Sequence, residues 1–344
     1  MVANPWRGVG VEIAGDLPCD DPADVAALLA LCPAHAPTPL LDVPDLARHA
    51  GVAQVLVKDE RARMGLGSFK ALGAAFAIAR EAAQVGSDDI RVALRGRSFV
   101  TASAGNHGLS VAAGAAVFGA QAVIYLADTV PDGFAGRLRA SGAHVVREGA
   151  TYEASMAAAE RAAVAEGWTL LSDSSWEGYA DLPYRVMEGY LQLAAEAAAE
   201  MAEAPTHILL QAGVGGLAAA VAAYARRVWG DAPQIIVVEP AAAPALFESI
   251  KAGRLVDTRG PVSSMGRLDC KTPSLIALKG LARDADLFVT LAEAEAQAAL
   301  PVLAALGLAT TASGGAGLAA LMAGVPMGAD ARVWAILSEG PEGD

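Results

Sequence analysis

The sequence predicts an α/β fold built from mostly parallel, open sheets flanked by helices. Short runs rich in β-branched residues alternate with alanine-rich stretches along most of the chain. The β-branched runs are almost continuously apolar, which is typical of strands that are covered on both faces of a sheet.

Each predicted strand is a run of four or five mostly apolar residues. These strands are 55–58, 99–102, 122–126, 144–147, 169–172, 207–211, 235–239, 287–290 and 333–337. The stretches between them favour helices because alanine is the strongest helix former. The predicted helices are 68–81, 107–118, 131–141, 152–166, 184–202, 217–229, 242–252, 292–306 and 316–322.

Composition limits the classes of function. With 344 residues, 54% of them hydrophobic, the chain can bury a core for one large domain or two moderate ones. A formal net charge of −13 argues against nucleic acid or an anionic membrane as a partner. The first residues lack the charged start and apolar run of a signal peptide.

The cysteines indicate neither a metal site nor a disulfide framework. Cys19, Cys32 and Cys270 are odd in number and far apart, and no Cys-x-x-Cys pair occurs. We therefore expect no bound metal and a reducing, cytoplasmic setting. Residues 296–329 carry no charge, but proline and glycine interrupt them, so we predict a buried helix, loop and helix there.

Lys70 lies in the mostly small and apolar stretch Gly-Ser-Phe-Lys-Ala-Leu-Gly at residues 67–73. A lysine on its own is most often a solvated surface residue. In a dry pocket, however, its amine becomes nucleophilic and can form a Schiff base with an aldehyde cofactor. The choice between these two interpretations depends on what accompanies Lys70.

Two loops each follow a predicted strand and open a predicted helix, where backbone N–H groups bind anions. In the first, Ser103, Ala104, Gly105 and His107 could hold a substrate carboxylate, and the Asn106 amide could reach a cofactor oxygen. The alternative there is a purely local helix cap. The second contains the phosphate-binding candidates Gly213, Val214, Gly215 and Gly216. The alternative there is a tight turn, which glycine also serves.

Asp173 and Ser338 supply two further polar groups. Asp173 ends a predicted strand, where it could anchor an amine or protonate a leaving group, although an N-cap is the simpler alternative. Ser338 follows the last predicted strand, and its hydroxyl could hydrogen-bond a neutral pyridine nitrogen. With Lys70, Asn106 and the glycine loop, these groups predict a pyridoxal 5′-phosphate site.

The order of these motifs resembles that of the tryptophan synthase β-like group, the fold type II pyridoxal phosphate enzymes, from about residue 35 onward. The resemblance implies two domains, each a mostly parallel open sheet flanked by helices. Residues 1–81 and 181–344 would form the larger, cofactor-binding domain. Residues 82–180 would form the smaller, substrate-side domain.

Within that group, the chain is similar to the diaminopropionate ammonia-lyase family. The stretches that carry this likeness are 63–73, 173–179, 205–215 and 235–240. The Trp-Glu-Gly-Tyr and Leu-Gln-Ala-Gly-Val-Gly segments are distinctive, because serine and threonine dehydratases do not usually carry them.

The resemblance assigns a role to each candidate residue. Lys70 would form the Schiff base and transfer protons, and Asn106 would contact the ring hydroxyl. Gly213, Val214, Gly215 and Gly216 would cradle the phosphate. Ser338 would face the pyridine nitrogen, and Asp173 would be an acid near the substrate.

The chain departs from that family at two places. Ala104 stands where the family has an aspartate linked to the distal amine and the D-isomer, and Ala312 replaces a glutamate.

The predicted activity is α,β-elimination from a small amino acid: 2,3-diaminopropionate, with the L-isomer favoured, would yield pyruvate and ammonia. The alternatives are a serine, threonine or hydroxyaspartate dehydratase and a non-catalytic pyridoxal phosphate-binding protein. The resemblance also implies a homodimer.

Overall fold

The computed structural model describes residues 1–341. Its strands are β1 (Val2–Ala3), β2 (Leu40–Asp42), β3 (Gln54–Asp59), β4 (Ser98–Ala102), β5 (Gln121–Leu126), β6 (His144–Arg147), β7 (Thr169–Leu170), β8 (His207–Gln211), β9 (Gln234–Pro240), β10 (Leu287–Leu291) and β11 (Arg332–Leu337). Its α-helices are α1 (Ala23–Leu29), α2 (Pro44–Ala50), α3 (Lys70–Val85), α4 (Asn106–Val117), α5 (Asp132–Ala140), α6 (Tyr152–Glu166), α7 (Asp181–Gly189), α8 (Leu191–Glu200), α9 (Gly216–Trp229), α10 (Ala245–Ala252), α11 (Leu275–Asp284), α12 (Glu293–Ala305) and α13 (Ala316–Met322).

These strands form two sheets, which confirms the predicted α/β class. The larger sheet has the order β1-β10-β9-β8-β11-β3-β2; it is parallel from β10 to β3, and both edge strands are antiparallel. The smaller sheet has the order β6-β5-β4-β7 and is parallel throughout. Parallel strands present their carboxyl ends at one edge, so each sheet offers one edge for site residues.

The smaller sheet draws all its strands from residues 98–170, inside the segment predicted as the smaller domain. The division into domains itself stays a prediction. Its proposed boundary at residue 81 falls within α3, and residues 342–344 of the predicted larger domain lie outside the described residues. One apolar core reaches both sheets, since Ile124 of β5 and Ile208 of β8 belong to the same buried cluster.

Several short elements are absent from the predicted list. The structure adds β1, β2, α1, α2 and α11, most of them seven residues or fewer, which is too short for a clear periodic pattern. The helix predicted at 184–202 was wrong as a single element, because it is divided into α7 and α8 at Tyr190. The helix, loop and helix expected within 296–329 are present as α12 and α13, but only α13 is buried as predicted. Helix α12 buries one face, through Ala296, Ala299 and Leu303, and leaves the rest accessible.

None of the helices in residues 1–341 is long and apolar enough to cross a membrane.

Helices α3 and α7 approach closely because glycine lies at their contact. A Cβ atom built on Gly73 would lie 2.6 Å from Cε1 of Tyr190 and 2.8 Å from the backbone oxygen of Val186. One built on Gly189 would lie 2.6 Å from the backbone oxygen of Leu72. The two backbone oxygens cannot move away without shifting a helix, so this crossing fixes the start of α3 against Tyr190.

We expect Gly73→Ala to lower the free energy of unfolding by about 1–3 kcal/mol, because the added methyl overpacks the crossing. Urea denaturation of both proteins measures the change. The matched control is Gly136→Ala in α5, where a Cβ meets no atom within 4 Å. It should stabilise the protein by roughly 0.5–1 kcal/mol, as alanine does in a helix interior. A Gly73→Ala protein as stable as the parent would contradict the described crossing.

Candidate active site

The structure brings Lys70 and Asp173 together as an ion pair. Lys70 is the first residue of α3, Asp173 lies just beyond β7, and Nζ of the lysine donates to Oδ2 of the aspartate. The two side chains are only 23% and 19% exposed. Each charge loses most of its hydration on burial, so removing one partner would leave the other uncompensated.

The pair keeps both groups charged. Burial by itself would lower the pKa of Lys70, but the adjacent Asp173 carboxylate outweighs it and raises that pKa above its usual range. Burial would raise the pKa of Asp173, but the positive charge of Lys70 brings it below its usual range. Lys70 is therefore held as an ammonium group, which is not nucleophilic until it gives up a proton.

Two aromatic rings border the ammonium group. Nζ of Lys70 lies 5.3 Å from the ring centroid of Phe69 and 5.9 Å from that of Tyr190. The two rings meet edge to face, with their centroids 4.9 Å apart. Burial raises the pKa of Tyr190 to about 12, so its hydroxyl stays neutral. The rings hold the lysine chain in place and limit the access of water.

Asp173 is positioned by the Trp-Glu-Gly-Tyr segment. The rings of Trp176 and Tyr179 stack 4.4 Å apart, and the two residues form an isolated antiparallel bridge. The Tyr179 hydroxyl accepts a hydrogen bond from the N–H of Ser172 at 3.0 Å and donates to the Leu170 carbonyl at 2.8 Å. This turn thus anchors the backbone on the amino-terminal side of Asp173.

The loop before α4 is closed by Ser103. Its hydroxyl oxygen accepts from the N–H of Gly105 at 3.3 Å and from that of Gly108 at 3.1 Å. Asn106 is the first residue of α4, and Ala104 is exposed at the turn. The Gly108 N–H is thus already used, but the N–H groups of Asn106 and His107 have no acceptor within the helix and remain able to bind a carboxylate.

His107 is a buried packing residue. Its Nε2 lies 2.8 Å from the Leu171 carbonyl oxygen, and its Nδ1 has no hydrogen-bond partner within residues 1–341. Burial lowers the pKa of His107, although the Asp173 carboxylate opposes that shift. The imidazole is therefore neutral, and the structure gives it no evident proton-transfer partner in the described chain.

The glycine loop between β8 and α9 packs so closely against residues 267–270 that a larger side chain at Gly213 would clash with them. A Cβ on Gly213 would lie 3.0 Å from Sγ of Cys270 and 3.2 Å from the Arg267 carbonyl oxygen. Gly215 has a φ of +97°, a left-handed conformation that favours glycine. Behind them, Gly216 begins α9, whose first N–H groups lack acceptors within the helix. This arrangement fits a phosphate group.

The glycine loop and Lys70 share a neighbour. A Cβ built on Gly216 would lie 3.7 Å from Cε2 of Tyr190, the ring that also borders the lysine. A molecule bound by its phosphate at this loop could therefore extend toward the Lys70 amine. The burial of Cys270 beside the loop raises its pKa to about 12, so its thiol is neutral there.

Helix α10 packs against the glycine loop. The buried Glu239 carboxylate accepts hydrogen bonds from the N–H groups of Leu246 and Phe247, each at 2.7 Å. Leu246 in turn lies against Gly215, where an added Cβ would come within 3.0 Å of its Cδ1. Burial raises the pKa of Glu239 to about 8, against the lowering effect of the two N–H donors.

Ser338 follows β11 and is buried. Its N–H donates to the Gly314 carbonyl at 3.1 Å, and its carbonyl accepts from the N–H of Phe69, also at 3.1 Å. These backbone bonds place Ser338 beside the segment that carries Lys70. Its role toward a pyridine nitrogen stays a prediction.

The sequence analysis missed Glu339. Its buried carboxylate accepts hydrogen bonds from Nδ2 of Asn106 and Oγ1 of Thr311, and it forms an ion pair with Nε of Arg267 at 2.9 Å. The only available signal was its position directly after Ser338, at the carboxyl end of a parallel strand. A glutamate there is common enough that no pattern distinguishes it.

A cavity of about 510 Å³ opens next to Asn106. Its walls include Leu66, Gly67, Arg137, Arg267 and Glu339. A space of this size suits a small molecule.

Comparison with known proteins gives a consistent result. The family model described as "Pyridoxal-phosphate dependent enzyme" matches residues 31–339. Diaminopropionate ammonia-lyase of Salmonella typhimurium is 34% identical over 275 residues, which cover 74% of this chain and 68% of that protein. The enzyme of Escherichia coli K12 is 34% identical over 285 residues, which cover 78% of this chain and 71% of the relative.

A solved structure is similar along nearly the whole length. It is the crystal structure of the Escherichia coli diaminopropionate ammonia lyase in complex with an aminoacrylate-PLP azomethine reaction intermediate. The TM-score is 0.86 at 30% sequence identity, and the match covers 98% of this chain and 93% of that one.

We predict that Asp173→Asn lets Lys70 react with an amine-directed reagent at lower pH. The substitution removes the carboxylate that raises the pKa of Lys70 and leaves the burial that lowers it. Reductive methylation across a pH series, followed by mass spectrometry of the peptides, measures the profile in protein freed of bound cofactor. Lys251, an exposed lysine on α10, serves as the internal control and should not shift. An unchanged Lys70 profile would show that Asp173 does not set its protonation.

Proposed function

Because the chain belongs to the pyridoxal-phosphate dependent enzymes, as its sequence predicted, we propose that it is a diaminopropionate ammonia-lyase. The reaction would be α,β-elimination: one 2,3-diaminopropionate and one water give one pyruvate and two ammonia. The L-isomer is the proposed substrate. The observation that carries this proposal is the largely covered Lys70–Asp173 pair, which places a potential base and a potential acid at one point.

The described residues fit the cofactor. The glycine loop at 213–216 would hold the phosphate, Asn106 would meet the ring hydroxyl, and Ser338 would lie near the pyridine nitrogen. When bound, pyridoxal phosphate supplies an aldehyde that captures an amine and a conjugated ring that delocalises the charge left by a departing α-proton.

Lys70 would serve as the base at the substrate α-carbon. Its Nζ is held between the Phe69 and Tyr190 rings and Asp173, so it can move little. An amine that is already fixed next to the α-carbon removes a proton more readily than a mobile one, because the entropy cost of orienting it does not add to the barrier.

Asp173 would assist the departure of the β-amine. Beside the Lys70 ammonium its pKa lies below the usual range, so it holds no proton. Whenever Lys70 gives up its charge, the burial that remains raises the pKa of Asp173. The carboxyl group can then keep a proton at Oδ2 and donate it to the leaving nitrogen. The protonation state of the proposed base, Lys70, and that of the proposed acid, Asp173, therefore depend on each other through their direct contact.

The loop before α4 would orient the substrate through its carboxylate. The N–H groups of Asn106 and His107, which have no acceptor within α4, favour an anion there, and Ser103 keeps the loop closed through its bonds to Gly105 and Gly108. Ala104 offers no carboxylate to the distal amine, and this observation favours the second candidate, a serine, threonine or hydroxyaspartate dehydratase. In that case the leaving group would be hydroxide.

An assay of keto acid and ammonia over L- and D-diaminopropionate, serine, threonine and hydroxyaspartate tests the proposal. We expect the highest kcat/KM with L-diaminopropionate and two ammonia per pyruvate, since both nitrogens are released. Serine would give only one ammonia per pyruvate. Turnover of hydroxy amino acids without diaminopropionate would make the protein a dehydratase. Bound cofactor with no keto acid from any substrate would make it a binding protein.

We expect Lys70→Ala to abolish turnover and the visible absorption band of lysine-bound cofactor, because no other amine borders Tyr190 in the described chain. Absorption spectroscopy and the same keto-acid assay measure both effects. Lys251→Ala, on the exposed face of α10, is the control and should retain both. Turnover at the parent rate in the Lys70→Ala protein would refute the proposed role of this lysine.

We also propose that the protein acts as a homodimer in the cytoplasm. The family resemblance supports the dimer, and the three unpaired cysteines suit a reducing compartment. Sedimentation of the holoenzyme as a monomer at micromolar concentration would contradict the dimer.

A further inference from the structure

We propose that Glu339 is a positioning residue, which fixes the Asn106 side chain so that one of its N–H groups is directed to the cofactor ring. The inference rests on the role proposed above for Asn106 and adds a residue that sequence reasoning did not find. Glu339 lies just after β11 and Asn106 at the start of α4, so their contact joins the end of a strand of the larger sheet to the helix that follows β4 of the smaller sheet.

The backbone of Glu339 is held firmly. Its carbonyl accepts from Oγ1 of Thr310 at 2.6 Å, and the residue forms an isolated bridge with Ser68, two positions before Lys70. The side chain is only 5% exposed. A carboxylate so constrained provides a fixed acceptor for its partners.

The carboxylate also determines which way the amide faces. A carboxylate accepts hydrogen bonds and has none to donate, so Asn106 must turn its NH₂ group toward it. That group has two hydrogens, and Glu339 takes one of them. The second N–H stays available for a ring oxygen. Without Glu339 the amide could flip and present its oxygen instead.

Two further partners hold the Glu339 carboxylate in place. Arg267 forms an ion pair with the carboxylate, and Thr311 donates a hydrogen bond to its other oxygen. Arg267 also contributes its carbonyl to the wall behind Gly213. A buried carboxylate that is paired in this way holds its geometry, because breaking one contact leaves an uncompensated charge.

Titration of the full-length apoenzyme with pyridoxal phosphate tests the proposal, with affinity followed by the absorption of bound cofactor. We expect Glu339→Gln to weaken binding about tenfold, the cost of one charge-assisted hydrogen bond. The glutamine offers one acceptor oxygen to the donors of Asn106, Arg267 and Thr311, so the Asn106 amide is no longer fixed. The pH dependence of the cofactor absorption should change with it.

A double-mutant cycle separates positioning from a general structural effect. We expect Asn106→Ala to weaken binding about tenfold and the double variant with Glu339→Gln to be no weaker than Asn106→Ala alone. If the two effects add, Glu339 acts independently of Asn106 and the proposal is overturned.

Asp284→Asn is the matched control. Asp284 is also buried and paired with an arginine, Arg283, but it lies at the end of α11 and not at the candidate site. The Asp284→Asn substitution should alter neither the affinity for pyridoxal phosphate nor the absorption spectrum. If it changed them as much as Glu339→Gln does, the loss of any buried carboxylate would be enough to weaken binding, and the proposal would be overturned.

If Glu339→Gln alone does not yield folded protein, the exchanged pair Asn106→Asp with Glu339→Gln keeps one amide facing one carboxylate. We expect this protein to fold and to bind the cofactor more weakly than the parent, since the new carboxylate has no N–H to donate. Equal affinity would refute the proposal. These measurements need no substrate, so a failure of the ammonia-lyase proposal would leave them unaffected.

Discussion

The ion pair between Lys70 and Asp173 is the constraint on which the site depends. The two residues are 103 positions apart, and their partly covered charges offset each other's loss of hydration only while they stay in contact. The start of α3 and the turn after β7 must therefore keep a fixed separation. The Trp176–Tyr179 stack on one side and the Tyr190 ring on the other meet that requirement. The stability of this region and the proton transfer proposed for Lys70 and Asp173 would thus rest on the same contact.

A second ionic cluster supports the segment that leads to Lys70. The fully buried Arg63 guanidinium pairs with Glu60 and Glu196 at 2.7 and 2.6 Å, and Nζ of the buried Lys58 lies 2.8 Å from Glu196. Directly after Arg63, Met64 takes a φ of +51°, the only left-handed conformation of a non-glycine residue among residues 1–341. The cluster holds the chain through this strained turn. Breaking one such buried pair typically costs 3–5 kcal/mol, enough to release the turn.

Most of the regular structure was predictable because its patterns are local. The apolar runs became strands and the alanine-rich stretches became helices, usually within a few residues. The exceptions have tertiary causes. The stretch at 184–202 has a continuous helical pattern, yet it is divided at Tyr190, beside the close approach of Gly189 to α3. Elements as short as the two residues of β1 have no pattern of their own, and β1 forms because β10 offers it an edge.

The sequence alone determined the α/β class, the family, the cofactor and the candidate lysine. These follow from local patterns and from the order of motifs along the chain. Tertiary structure decided which side chains are partners. Lys70 donates a hydrogen bond to Asp173, and Asn106 donates one to Glu339, which is 233 positions away in the sequence. No pattern within either motif encodes such a pairing. It arises because Asp173 and Glu339, which follow strands of two different sheets, meet residues at the starts of α3 and α4, and only the folded chain determines which side chains meet there.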